Sequence, residues 1–228
     1  MLLGYENETL RKQAVEYSKR SIDWAVRLGA KAVVFHPTEV PVSPDAFDKP
    51  LKNLIKAQRT DTEEYHALFG EMLKARKAAP FLQRTLKSIG ELADYVERNH
   101  LNIKLGMENR AMCHQAPIYP EFDVILQAFE GGPVGIWLDT GHGIMMEEIG
   151  LQKAPLSDLA ERNIIGMHIH DAADGLDHYA PCTLKGDVLK PFEKYIKACP
   201  IRVLELSGRL TEAEIREGTE KFLSGYGG

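Results

Sequence analysis

The stretch PEFDVILQAFEGGPVGIWLDTGH, residues 120–142, decides the fold. Its first ten residues place apolar groups at helical spacing, and VGIWLD is then a continuous apolar run ending in an acid, with a histidine three residues on. The same unit, helix first and polar-tipped strand second, recurs on either side. A helix over 8–28, with Gly29 as its cap, precedes KAVVFHP at 31–37. A long helical interval over 60–99, broken near Ala79-Pro80, precedes IKLGMENR at 103–110. PLSDLAERN precedes IIGMHIHD at 164–171, and DVLKPFEKYIKAC precedes IRVLELSG at 201–208. Apolar strands joined by helices specify an α/β fold with a parallel sheet covered by helices. Periodicity alone leaves both a doubly wound sheet and a barrel open.

A hydrophobic content of 44% over 228 residues is enough for one sizeable core, and no linker divides the chain, so residues 1–228 are read as a single domain. The net charge of −5 disfavours nucleic acid as a partner. Cys113, Cys182 and Cys199 are odd in number and have no CxxC spacing, which fits neither a disulfide framework nor a cysteine zinc site. The opening residues MLLGYENETLRK hold no long apolar segment, and nowhere is there a run of about 18 apolar residues. The expectation is a cytoplasmic protein with no membrane partner.

Side chains of ligand type gather at the strand ends. His36 closes the first strand, Glu108 the second, Asp139 and His142 the third, His168 and His170 the fourth, and Glu205 the last. Strand alternation puts Gly106 with Glu108, Trp137 with Asp139, Gly166 with His168 and Val203 with Glu205 on common faces. On a barrel these residues converge at its top; on an open sheet they spread along an edge. Singly, such a histidine reads as a packing residue, and such a glutamate as half of an ion pair with Arg110 or Arg202. As a set they read differently. Six of the eight histidines (36, 114, 142, 168, 170 and 178) fall at strand ends or in the loops just after them, leaving only His66 and His100 to the helices. Mixed carboxylates and imidazoles suit a divalent cation such as Mn²⁺, Zn²⁺, Co²⁺ or Mg²⁺.

In chain order, HP at 36–37, ENR at 108–110, LDTGH at 138–142, HIHD at 168–171, DH at 177–178 and LELSG at 204–208 resemble the xylose isomerase-like barrel superfamily. That superfamily includes sugar isomerases and epimerases, inosose dehydratases and endonuclease IV. The resemblance implies a (β/α)8 TIM-barrel-like sheet. From its ketose epimerase branch it implies Glu108, Asp139, His168 and Glu205 as metal ligands, with Glu108 and Glu205 also the acid and base. His36, His142, Asp177 and His178 resemble either the extra ligands of polynuclear members or the substrate-contacting residues of mononuclear ones, and Asp171 is implied as a partner of His168 or of the substrate; His36, His142, Asp171 and His178 are taken as the substrate-binding set. Asp177 and His178 are adjacent, whereas polynuclear members place one residue between the corresponding pair.

Against an eight-stranded barrel the chain supplies six strands, counting a short one near Asp177, and the first two are expected to be lacking. Open sheet edges then call for cover, and a homo-oligomer is expected. The implied activity is metal-dependent isomerisation or epimerisation of a sugar or sugar phosphate. The alternatives are a metal-binding or inactive barrel fragment and an endonuclease IV-type phosphodiesterase.

Overall fold

The first helix begins where the Asn7 side chain accepts hydrogen bonds from the amides of Thr9 and Leu10, at 3.0 and 3.1 Å. It ends where Gly29, at φ +74°, turns the chain so that the amides of Gly29 and Ala30 close onto the carbonyls of Val26 and Ala25. The expected glycine cap is therefore present. This computed structural model describes residues 2–77, 80–153 and 155–226.

In chain order the described elements are α1 (Glu8–Arg27), β1 (Ala32–Phe35), β2 (Thr38–Glu39), α2 (Asp48–Lys56), α3 (Glu63–Lys77), α4 (Phe81–Arg98), β3 (Lys104–Glu108) and β4 (Gln115–Ala116). They continue as α5 (Tyr119–Ala128), β5 (Val134–Asp139), α6 (Thr140–Glu148), α7 (Asp158–Arg162), β6 (Ile164–Ile169), β7 (Asp171–Ala173), β8 (Leu176–Tyr179), α8 (Glu193–Ala198), β9 (Arg202–Leu204) and α9 (Glu212–Tyr226). The expected interruption of the 60–99 interval falls between α3 and α4; Ala79 lies outside the described residues, and Pro80 directly precedes α4. Helix α2 is an addition to the sequence reading, with Pro50 tolerated in its first turn.

Five strands form one parallel sheet in the order β1-β3-β5-β6-β9, an open arc of a TIM barrel whose edges are β1 and β9. The strand expected near Asp177 is not in this sheet. β8 instead pairs antiparallel with β7, because the short turn between them at Asp174-Gly175 returns the chain on itself. β2 and β4 make a second small antiparallel pair. No helix among the described residues is long and apolar enough to cross a membrane. The three cysteines are free thiols.

Alternation along the strands separates packing from chemistry. Leu105, Met107, Ile136, Leu138, Met167 and Ile169 point outward and pack against the helices in two continuous cores. On the inner face Trp137, only 4% exposed, lies between Gly106 and Gly166 of the neighbouring strands. A Cβ at Gly166 would sit 2.0 Å from Trp137 Cζ3, so the glycine is what admits the indole. A third cluster, drawn from α2, α3, α6 and the segment after β3, packs over the carboxyl ends of the strands. Asp48 anchors it: the carboxylate accepts from the Cys113 amide at 2.7 Å and lies 2.7 Å from His114 Nδ1. His114, one of the six strand-end histidines, thus has a bracing partner.

Candidate metal centre

Glu108 is the last residue of β3, Asp139 the last of β5, His168 the fifth of β6, and Glu205 directly follows β9. All four belong to the inner face set by Trp137, and the curvature of the arc brings one ligand atom of each within 4.8 Å of all the others. The barrel reading is thereby chosen over the flat one. His168 Nδ1 lies 3.0 Å from Glu108 Oε1, 3.0 Å from Glu205 Oε2 and 3.7 Å from Asp139 Oδ2. Glu108 and Asp139 are fully buried, whereas the Glu205 side chain keeps 39% of its surface exposed, so the centre opens on that side.

Three carboxylates around one imidazole exceed what a single N–H can satisfy. Glu108 Oε2 and Glu205 Oε2 are both buried with no aligned hydrogen bond, although imidazole nitrogens stand 2.6 Å from the first and 3.0 Å from the second. Burial raises the Glu108 pKa, but His168 and His36 outweigh it and bring the carboxyl down to about 2. Burial lowers that of His168, and Glu108 with Glu205 reverse this, lifting it to about 9. Glu205 is pulled well below the usual carboxylate range by His168 and His178. The carboxylates and the imidazole thus favour one another's charged forms. A divalent cation bound by one nitrogen and three oxygens at about 2.0–2.2 Å meets the same demand, and it spans ligand atoms up to about 4.4 Å apart, close to the observed spread. The donor set fits such an ion.

The residues that hold these four in place were legible only in part. Just past β3, the Asn109 amide clasps the backbone of Asp139 from both sides, donating to its carbonyl at 2.9 Å and accepting from its N–H at 2.8 Å. Thr140 Oγ1 does the same for His170, donating to its carbonyl at 2.9 Å and accepting its N–H at 3.1 Å. Two side chains thereby continue the sheet ladder beyond the strand ends. The Asp139 carboxylate is steadied by the His142 amide at 2.7 Å and by His170 Nε2 at 3.0 Å. Such support fixes a ligand's orientation before any ion arrives. The signal available in sequence was adjacency: Asn109 and Thr140 each follow a proposed ligand directly.

Of the residues expected to contact substrate, His36 lies at the centre with its side chain 55% exposed. His142 is buried, with Nδ1 3.0 Å from the Asn109 carbonyl and Nε2 3.8 Å from Asp177 Oδ2. His178, at φ +60°, has Nδ1 2.9 Å from Asp177 Oδ1 and Nε2 3.5 Å from Glu205 Oε2, and both contacts lift its pKa to about 10. Asp171 departs from its expected place. It is fully buried, and its carboxylate accepts the amides of Cys182, Thr183 and Leu184 at 3.0–3.1 Å, which makes it a brace for the segment after β8. His142, His170 and His178 form a second group of ligand type, but His170 Nδ1 already accepts the His178 amide at 2.9 Å while Nε2 serves Asp139.

Residues 2–198 match the family described as xylose isomerase-like TIM barrel. Among solved structures, a D-tagatose 3-epimerase-like protein superposes with a TM-score of 0.58 at 18% identity, over 98% of this chain and 72% of that one. IolI protein, in a structure with a bound zinc atom, gives 0.61 at 17%, over 99% and 74%. The 3-keto-D-glucoside 4-epimerase YcjR of E. coli gives 0.61 at 13%, over 98% and 75%. A search of curated proteins found no match.

Proposed function

Because the chain belongs to the xylose isomerase-like TIM barrel family, we propose that it is a metal-dependent isomerase or epimerase of a sugar or sugar phosphate. The observation that carries this reading is the convergence of Glu108, Asp139, His168 and Glu205 on one point, with two glutamates contributed by strands on different sides of it. The epimerase titles of the neighbours and the zinc of IolI support it. Moving a carbonyl or inverting a carbinol centre requires a proton to leave the carbon beside a carbonyl and return elsewhere, hence a base, an acid and an electrophile. Glu108 and Glu205 take and return that proton, one on each side of the substrate carbon. Asp139 and His168 would hold the ion together with the two glutamates, and the buried Trp137, edge-on to His168 with ring centroids 5.3 Å apart, packs against that imidazole. The bound divalent ion supplies Lewis acidity to the substrate's carbonyl and hydroxyl oxygens.

The test is deuterium incorporation beside the carbonyl when the metal-loaded protein meets a panel of ketoses and ketose phosphates in D₂O. The histidine group around His142 gives a phosphodiesterase its one specific support, and cleavage of abasic-site DNA in place of exchange would favour that reading. We expect about one divalent transition ion per protomer after dialysis without chelator, together with a rise in melting temperature on adding Mn²⁺, Zn²⁺ or Co²⁺. Elemental analysis showing none, with no thermal shift, overturns the metal centre.

We also propose a homo-oligomer. β1 and β9 present unpaired edges, Val203 on β9 is 43% exposed, and Tyr17, Trp24 and Leu28 of the first helix and its cap are 52–80% exposed. Light scattering at micromolar concentration is expected to return a dimer or larger; a compact monomer overturns this.

A further inference from the structure

One charged group at the centre has no part in the scheme above. Arg110, two residues past Glu108, brings Nη1 to 2.9 Å from His36 Nε2 and 3.5 Å from Glu108 Oε2, with only 15% of its side chain exposed. Its Nε and Nη2 make no hydrogen bond or ion pair among the described residues. The backbone amide holds to the Pro117 carbonyl at 3.3 Å, so the side chain is delivered from a tethered segment. A largely covered guanidinium with unused donors beside a carboxylate ligand is not explained by packing.

The charges say what it is for. Three ligand carboxylates around a divalent ion leave one negative charge, and Arg110 balances it. Removing a proton beside a carbonyl then relocates negative charge: the glutamate that takes the proton becomes neutral, and a full negative charge develops on the oxygens of an enediolate. Donors that are already oriented, in a site shielded from water, stabilise that charge without reorganising. A guanidinium 2.9 Å from His36 Nε2 also fills the position that a second cation shared by His36 and Glu108 would need. The geometry points to Arg110 as the second electrophile of this centre, donating to an enediolate oxygen of an α-hydroxyketone substrate on the His36 side; this rests on the proposed isomerase reading. The bond balance is simple. The C–H electron pair becomes the enediolate π bond, the carbonyl π pair moves to oxygen, the proton goes to a glutamate, and Arg110 keeps all of its own protons.

The test compares wild type with Arg110→Ala and Arg110→Lys, each with its bound metal measured in the same sample. Arg110→Ala is expected to lose roughly 10²–10³-fold in exchange rate per bound metal. Added guanidinium chloride at non-denaturing concentration restores part of that loss, and Arg110→Lys falls between the two. A merely structural arginine would show neither rescue nor constant metal content. Binding of an aldonohydroxamate, an enediolate mimic, is read separately by calorimetry and should weaken at least 10-fold in Arg110→Ala. An alanine variant that exchanges at the wild-type rate per bound metal, or loses activity only in proportion to lost metal, overturns the proposal. Where no substrate in the panel exchanges with wild type, the isomerase reading fails by itself, and the hydroxamate decides Arg110: equal affinity in both proteins, or no binding to either, overturns it.

Discussion

Glu205→Gln and Glu108→Gln each slow deuterium incorporation by roughly 10²–10⁴-fold, the contribution of a positioned acid or base. The amide nearly matches the carboxylate in shape but takes up no proton at neutral pH. The two variants differ in what else they disturb. Glu205 is partly exposed, so its amide remains solvated and the fold is expected to hold. Glu108 is fully buried beside His36, His168 and Arg110, so its replacement also removes a charge that three neighbours use. Because both glutamates are proposed ligands, loss of the ion would mimic loss of the base. The decisive measurement is therefore the exchange rate divided by metal content, by NMR and elemental analysis on the same sample. Either variant exchanging at more than about a tenth of the wild-type rate per bound metal would remove that glutamate from the proton path.

Gly166→Ala is the substitution with the largest expected effect on stability. Its new Cβ would lie 2.0, 2.4 and 2.5 Å from Cζ3, Cε3 and Cη2 of Trp137. The indole is already packed between Gly106 and Gly166 and is only 4% exposed, so it has little free space into which to retreat. The cost falls at the upper end of overpacking, about 3 kcal/mol, and lowers Tm by about 6–12 °C for a chain of this size. His168 is two residues along the same strand and packs on the same ring, so metal affinity should fall as well. Gly208→Ala, where a Cβ meets nothing within 4 Å, serves as the control and should leave Tm unchanged. Shrinking the ring in Gly166→Ala with Trp137→Leu should recover part of the loss, because the two side chains compete for one space. Equal melting of Gly166→Ala and wild type would mean that the indole does not fill the inner face as described.

What the sequence determined by itself is what depends on neighbours along the chain. The apolar runs ending at Glu108, Asp139, His168 and Glu205 each carry their own strand signal, and alternation alone puts Gly106, Trp137 and Gly166 on the face that bears the ligand-type residues. The glycine cap after α1 was legible for the same local reason. Only the tertiary structure decided the rest, through partners distant in sequence. Whether five strands curl or lie flat is a matter of how the sheet twists and packs, and that curvature is what turns four separate strand ends into one centre. The family resemblance implied Asp171 as a site residue, and three amides more than ten positions away claim its carboxylate. Asn109 and Thr140 bond to backbone 30 residues distant, and Asp177 belongs to a hairpin outside the main sheet. A residue's type sets which hydrogen bonds and charges it can offer; which partner takes them up is fixed only when the chain has closed.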